Sequence, residues 1–131
     1  MTTPNWQQIL GWTSDQLEEI RFAGFSYLKE GRYEKALLFF KALVVVDPKS
    51  VYDTQTLGAL YLQMGEGDEA LACIEQALNL DPSHEPTLLN KAKTLLILGR
   101  KQEALLLLHS LQKSKNPSIE GDASALFLAY T

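Results

Sequence analysis

The sequence predicts an all-α protein that stacks three helix pairs into a solenoid and closes the stack with a C-terminal helix. One skeleton of small, aromatic and turn residues recurs every 34 residues. Within each copy, two stretches with apolar residues at helical spacing flank a glycine. Such a unit hides its apolar face only against its neighbours, so the copies are expected to stack and the last one to need a cover.

The central copy of the skeleton spans residues 51–82. Its first stretch carries Gly58 and Tyr61, and a turn at Gly65 separates it from a second stretch that ends at Pro82. The corresponding places hold Gly24, Tyr27, Gly31 and Pro48 in the first copy, and Ala92, Leu95, Gly99 and, one place late, Pro117 in the third.

This pattern resembles the tetratricopeptide repeat, which has a 34-residue period, a small residue pair at the closest helix approach and a proline near its end. The resemblance implies a right-handed α-solenoid. Its three repeats would occupy about residues 17–50, 51–84 and 85–116 within a repeat region over 14–116, and residues 117–131 would form the capping helix.

Helix signals agree with this division. Glycine turns, acidic first turns and proline stops predict helices over about 14–30, 33–46, 51–64, 68–79, 85–98 and 101–113. Ser14 is the expected cap of the first of these helices. In the last segment, Ala123, Leu126, Phe127 and Tyr130 form one helical stripe that would cover the third repeat.

Residues 1–13 lie outside the repeats but are apolar, so they are expected to bury against something. Thr3 or Asn5 could cap a short helix that Gly11 ends. This arm would either pack on the first repeat as a lid or cover a second subunit or the binding groove. A candidate oligomer or second-partner surface combines the arm with the convex side of the first repeat, at Trp6, Ile9, Leu10, Trp12 and Phe39.

Composition excludes several classes of function. The chain has 131 residues, 46% of them hydrophobic, which suffices for one core. A net charge of −4 with scattered Lys and Arg argues against nucleic-acid binding. The single cysteine fits a reducing cytoplasm. Neither a signal segment nor a long apolar run is evident, so we expect no membrane insertion.

Catalysis has little support in the sequence. His84 is expected in a turn, His109 has no second ligand at metal-binding spacing, and Cys73 has no nearby histidine. We therefore predict no enzymatic activity, no cofactor and no metal, and expect a protein-binding role instead.

The tetratricopeptide resemblance also implies where binding occurs. In that family the first helix of each repeat lines a concave groove, with fixed places that point into it. Arg21, Lys29 and Lys93 would add a modest basic rim to an otherwise apolar lining. The alternative is that the leucines of this lining pack within the molecule, against the N-terminal segment or the capping helix. We call the whole set the concave groove: Arg21, Phe25, Leu28 and Lys29 in the first repeat, Tyr52, Gln55, Ala59 and Leu62 in the second, and Leu89, Lys93 and Leu96 in the third.

A narrower resemblance covers residues 13–70, with the segments GRYEKA, FFKAL and LGALYLQMG. They are similar to the small bacterial chaperones of type III secretion that hold translocator proteins. The resemblance implies a cytoplasmic chaperone for a hydrophobic export client, with a homodimer or a second small chaperone as a further partner. A co-chaperone of the needle subunit, or a general repeat adaptor, is the alternative. Arg21 departs from the aromatic residue that is common at its place.

Overall fold

The computed structural model describes residues 4–131, and this part of the chain forms eight helices. Three helix pairs stack in sequence order, which confirms the predicted all-α solenoid, and a last helix packs on the third pair. The helices are α1 (Trp6–Leu10), α2 (Ser14–Lys29), α3 (Tyr33–Val46), α4 (Val51–Gln63), α5 (Gly67–Leu80), α6 (Glu85–Ile97), α7 (Lys101–Leu111) and α8 (Pro117–Tyr130).

The turn inside each pair is the same structure repeated three times. Gly31, Gly65 and Gly99 have φ values of 75° to 76°, in the left-handed region where a side chain would be strained. The amide after each glycine donates to a carbonyl five residues back, as from Arg32 to Tyr27 at 2.9 Å. These turns reverse the chain after the first helix of every pair.

The helix caps refine the predicted boundaries. The cap of α2 is Thr13, because its hydroxyl accepts from the Gln16 amide while the Gln16 side chain accepts from the Thr13 amide. Ser14 is thus the first helical residue, and its expected role as the cap is wrong. Asn116 caps α8, which begins at Pro117.

Glycine lets the helices of the first two pairs approach each other closely. A Cβ added at Gly24 would lie 2.9 Å from the Phe40 ring, and one at Gly58 would lie 2.9 Å from Ile74 Cγ1. In the third pair the same place holds Ala92, which is fully buried. The small residues of the repeat skeleton therefore mark the crossing point of each helix pair.

Two apolar clusters fill the solenoid. The second includes Ile119 and Ala123 from α8, so this helix covers the third repeat as predicted. Tyr130, expected on the covering stripe, is 43% exposed at the helix end. The buried members are Leu17, Ala36, Phe40, Leu43, Val46, Leu57 and Leu60 in the first cluster, and Leu89, Ala92, Leu108, Leu111, Ile119 and Ala123 in the second.

The N-terminal arm forms the short helix α1, which lies near α3 without burying any of its side chains. The Asn5 side chain caps it by accepting from the Gln8 amide at 3.0 Å, and Gly11 ends it in a left-handed conformation. Thr3, the other candidate cap, lies outside the described residues. Across residues 4–131, the helices are too short or too polar to cross a bilayer.

Candidate peptide-binding site

The first two repeats leave a pocket of about 440 Å³ between α2 and the start of α4. Phe22 and Phe25 stand three apart on α2, which places them on one face of the helix. Tyr52 faces them from the first turn of α4, where Ser50 caps the helix by accepting from the Asp53 amide. We call this site the α2–α4 pocket, and its lining is Glu18, Arg21, Phe22, Phe25, Ser50 and Tyr52.

Three aromatic side chains of the pocket lie open to solvent. Phe22 is 72% exposed, Phe25 is 39% exposed and Tyr52 is 45% exposed. The Lys29 ammonium lies 5.7 Å from the centre of the Phe25 ring, in cation–π range. Tyr52 packs edge-on against the buried Phe40, with ring centres 6.3 Å apart. The first two repeats thus hold Phe25 and Tyr52 in place without covering them.

Two residues of the pocket lining, Arg21 and Glu18, belong to an ion-pair network centred on Arg21. Its Nε and Nη2 donate to the two oxygens of Asp53 at 2.6 and 2.7 Å, and Nη2 lies 3.3 Å from Asp47 Oδ2. Nη1 also donates to Glu18. The hydrogen bond to Asp53, which is fully buried, raises the pKa of Arg21 beyond its ordinary value. Arg21 therefore fastens the first repeat to the second.

This network changes the role that the sequence suggested for Arg21. A guanidinium on a basic groove rim would attract an acidic ligand, but three carboxylates already surround this one. Its side chain is also only 13% exposed. The structure places Arg21 in the pocket lining but leaves its charge neutralised.

The other predicted groove residues divide by burial. Leu89 is only 4% exposed and packs in the second apolar cluster beside Ile119 of α8, so its predicted place in the groove lining is wrong. The capping helix α8 contributes Ile119 and Ala123 to the same cluster, so Leu89 is covered from within the chain. Lys29 is exposed, whereas the remaining members are half-buried: Leu28, Gln55, Ala59, Leu62, Lys93 and Leu96.

Phe22 is a pocket residue that the sequence reasoning missed. It lies one place after Arg21, outside the places that the family pattern directs into the groove. The available signal in the sequence was that Phe22 lies three residues before Phe25, on a face of α2 that does not pack against the neighbouring helix. Its exposure makes it the most accessible aromatic side chain of the pocket.

The outer surface of the first repeat carries a second, almost wholly apolar pocket of about 400 Å³. Leu38 is exposed there, while Phe39 is half-buried and its ring centre lies 5.4 Å from that of Tyr27. On α1, Trp6, Ile9 and Leu10 are exposed. We call this site the outer pocket, and its lining is Trp12, Ile20, Leu38, Phe39, Ala42 and Leu43.

The histidines and the cysteine occupy structural positions. His84 caps α6, with Nδ1 accepting from the Thr87 amide at 3.3 Å and lying 2.7 Å from the Thr87 hydroxyl. His109 stands 5.9 Å from the Phe127 ring, measured between ring centres. Burial, and then the neighbouring Glu69 carboxylate, raise the pKa of the Cys73 thiol, which disfavours the nucleophilic thiolate.

The repeat frame, the paired helices and the open inner surface define a tetratricopeptide-repeat protein, a class that binds other proteins. The chain belongs to the family described as anaphase-promoting complex, cyclosome, subunit 3, whose model matches residues 26–111. A curated relative, human Superkiller complex protein 3, is 30% identical over 101 residues. That alignment covers 75% of this chain but spans only 6% of the relative's length.

Two solved structures are similar to this chain over nearly its whole length. SycD, the type III secretion translocator chaperone of Yersinia enterocolitica, superposes with a TM-score of 0.82 at 25% identity, covering 98% of this chain and 99% of SycD. A second structure, of SycD in complex with a peptide of the translocator YopD, also gives a TM-score of 0.82, at 27% identity. It covers 90% of this chain and 94% of that one.

Proposed function

We propose that this protein is a chaperone of type III secretion that holds a hydrophobic translocator in the bacterial cytoplasm before export. The observation that carries the proposal is the exposed aromatic wall of the α2–α4 pocket, formed by Phe22, Phe25 and Tyr52. The whole-length likeness to SycD, which has been solved with a translocator peptide, supports the client class.

The energetics favour an extended apolar segment as the ligand. Aromatic side chains that are exposed but held by their neighbours offer apolar area at low entropic cost. Each Å² of apolar surface removed from water contributes roughly 25 cal/mol. A client side chain whose alkyl part lies between Phe25 and Tyr52 would therefore act as a binding hot spot. The client would stay soluble because its most aggregation-prone segment is covered.

Co-expression with candidate clients tests the proposal. The translocators and the needle subunit from the same genome are each produced with the wild-type chain, with Phe25→Asp and with Leu38→Asp. Phe25→Asp should weaken translocator binding by about thirtyfold, the loss expected for a hot spot worth about 2 kcal/mol. Leu38→Asp introduces the same charge on the outer surface and should retain binding. Circular dichroism checks that both variants remain helical.

The other outcomes separate the alternatives. Stabilisation of the needle subunit instead of a translocator, with the same sensitivity to Phe25→Asp, would assign the chain to needle co-chaperones. Binding that survives Phe25→Asp and is lost in Leu38→Asp would contradict the groove and favour an adaptor that uses the outer surface.

We also propose that the outer surface pairs with a second copy of this chain. The helix α1 has three exposed apolar side chains beside an unfilled apolar pocket. A surface that carries both a projecting apolar helix and a receiving pocket is self-complementary, as a two-fold dimer requires. Light scattering should report a dimer that Ile9→Glu and Leu38→Glu each convert to a monomer; a wild-type monomer at high concentration would contradict this proposal.

A further inference from the structure

The charges around the α2–α4 pocket are unbalanced, and this bears on which client residue fits there. Glu18, Asp47 and Asp53 surround Arg21. With the Lys29 ammonium, which lies over a ring of the pocket, three negative charges meet two positive charges and one remains in excess. Asp53 is buried, whereas Glu18 lines the pocket and its side chain is 70% exposed. The excess negative charge therefore reaches the pocket surface through Glu18.

The aromatic side chains of the pocket favour a positively charged ligand, as the excess negative charge does. The face of an aromatic ring is negatively polarised and attracts a cation that lies over it. The protein already uses this contact once, because the Lys29 ammonium lies over Phe25. Rings also pack against the alkyl stem of a long basic side chain while its charged end stays in water. Phe22 and Tyr52 are exposed enough to do so.

We propose that the α2–α4 pocket selects a basic side chain, Lys or Arg, of the client segment. The alkyl stem lies between Phe22, Phe25 and Tyr52, and the cationic end meets Glu18. This inference rests on the proposed function and refines it, since the half-buried leucines further along the groove would hold the client's apolar anchors. Arg21 does not recruit an acidic residue because its donors are engaged with carboxylates.

Matched peptides test this selection. The probes are fluorescein-labelled peptides with Leu and Ser at alternate positions, in which one position at a time is replaced by Lys, norleucine or Glu. Norleucine keeps the alkyl stem of Lys and lacks only the ammonium group. At the position that occupies the pocket, Lys should bind about threefold to tenfold more tightly than norleucine, and Glu should bind more weakly than either.

Two variants assign the preference to the pocket. Glu18→Gln should bring the Lys and norleucine affinities close together, because the ammonium group loses its carboxylate partner. Glu19→Gln removes the same charge one residue further along α2, outside the pocket lining, and should preserve the preference. Phe22→Ala should weaken binding of both the Lys and the norleucine peptides, because the alkyl stem of either residue loses its contact with the Phe22 ring.

The failure of this inference can be told apart from the failure of the proposed function. Equal affinities for Lys and norleucine at every position, in peptides whose binding Phe25→Asp still weakens, would overturn the basic-residue selection and leave the chaperone proposal standing. Binding that neither Phe22→Ala nor Phe25→Asp alters would overturn both.

Discussion

The junction between the first and second repeats differs from the junction between the second and third, although the same 34-residue frame builds both. At the first junction, Arg21 binds the buried Asp53 through two hydrogen bonds. The equivalent places at the second junction hold Gln55 and Thr87, and Thr87 pairs instead with His84, the cap of its own helix. The repeat frame thus sets where two neighbours meet, while individual residues decide what joins them.

Equivalent residues on the first helix of each repeat differ in solvent exposure because the elements packed around them differ. Arg21, Gln55 and Leu89 are 34 residues apart. The first lines an open pocket, the second is half-buried and the third lies under α8. Solvent therefore reaches this place of the repeat at the first junction, whereas α8 covers it in the third repeat.

Breaking the ion pair at the first junction should have the largest effect. Arg21→Met leaves the buried Asp53 carboxylate without its partner, so the free energy of unfolding should fall by about 4 kcal/mol. Urea denaturation measures this loss. Gln55→Met at the equivalent place should change stability by less than about 0.5 kcal/mol.

A double variant checks that the loss comes from the stranded charge. Arg21→Met combined with Asp53→Leu removes both partners and should recover most of the lost stability. Equal stability of Arg21→Met and Gln55→Met would show that the two junctions are held alike, contrary to the contrast above.

Truncating the buried leucine of the third repeat should have the next largest effect. Leu89→Ala opens a cavity beneath α8 and should lower the free energy of unfolding by about 3 kcal/mol. Leu106→Ala, at a leucine that is 74% exposed, should cost less than about 0.5 kcal/mol. If Leu89→Ala weakened client binding without destabilising the fold, Leu89 would belong to the groove after all.

Adding a methyl group where two paired helices approach closely should have a smaller effect on stability. At Gly58, a new methyl group meets Ile74, and overpacking of about 2 kcal/mol outweighs the gain of roughly 1 kcal/mol from replacing a helical glycine. Gly58→Ala should therefore lower stability by about 1 kcal/mol. Gly121→Ala, where nothing lies within 4 Å, should raise stability by up to about 1 kcal/mol in the same denaturation assay. A gain in stability from both substitutions would refute the close approach at Gly58.

The smallest expected effect is on the reactivity of the Cys73 thiol, which reports on the packing at the first junction. It is half-buried, packs against the first apolar cluster, and has a raised pKa. Its reaction with Ellman's reagent at pH 8 should thus be slower than that of free cysteine. Arg21→Met should accelerate it by loosening this region, and Gln55→Met should not. A fast wild-type reaction would contradict the packing.

The 34-residue repeat could be predicted from the sequence because the residues that define it determine the conformation of the chain around them. Gly31, Gly65 and Gly99 end helices wherever they stand, and small residues such as Gly58 mark close crossings. Helix bounds and the cap over 117–131 followed from these signals. The repeat count and the solenoid were therefore predictable without any knowledge of tertiary contacts.

The site was only partly predictable, because exposure depends on contacts between distant parts of the chain. The periodicity directs Leu89 toward the groove, but only the packing of α8 reveals that it is covered. Likewise, the neutralisation of Arg21 depends on a partner 32 residues away. Phe25 and Tyr52 lie at predicted groove places and stay exposed because no later element covers them, and their role in binding stays a prediction.

The most direct test of the central claim is site-specific photo-crosslinking of the client-bound complex. A photoreactive phenylalanine analogue, p-benzoylphenylalanine, replaces Phe22 in the α2–α4 pocket or Leu106 on the outside of α7; these side chains are 72% and 74% exposed. With a bound translocator, position 22 should give a covalent adduct and position 106 should not. Adducts from position 106 but not from position 22 would contradict binding in the α2–α4 pocket.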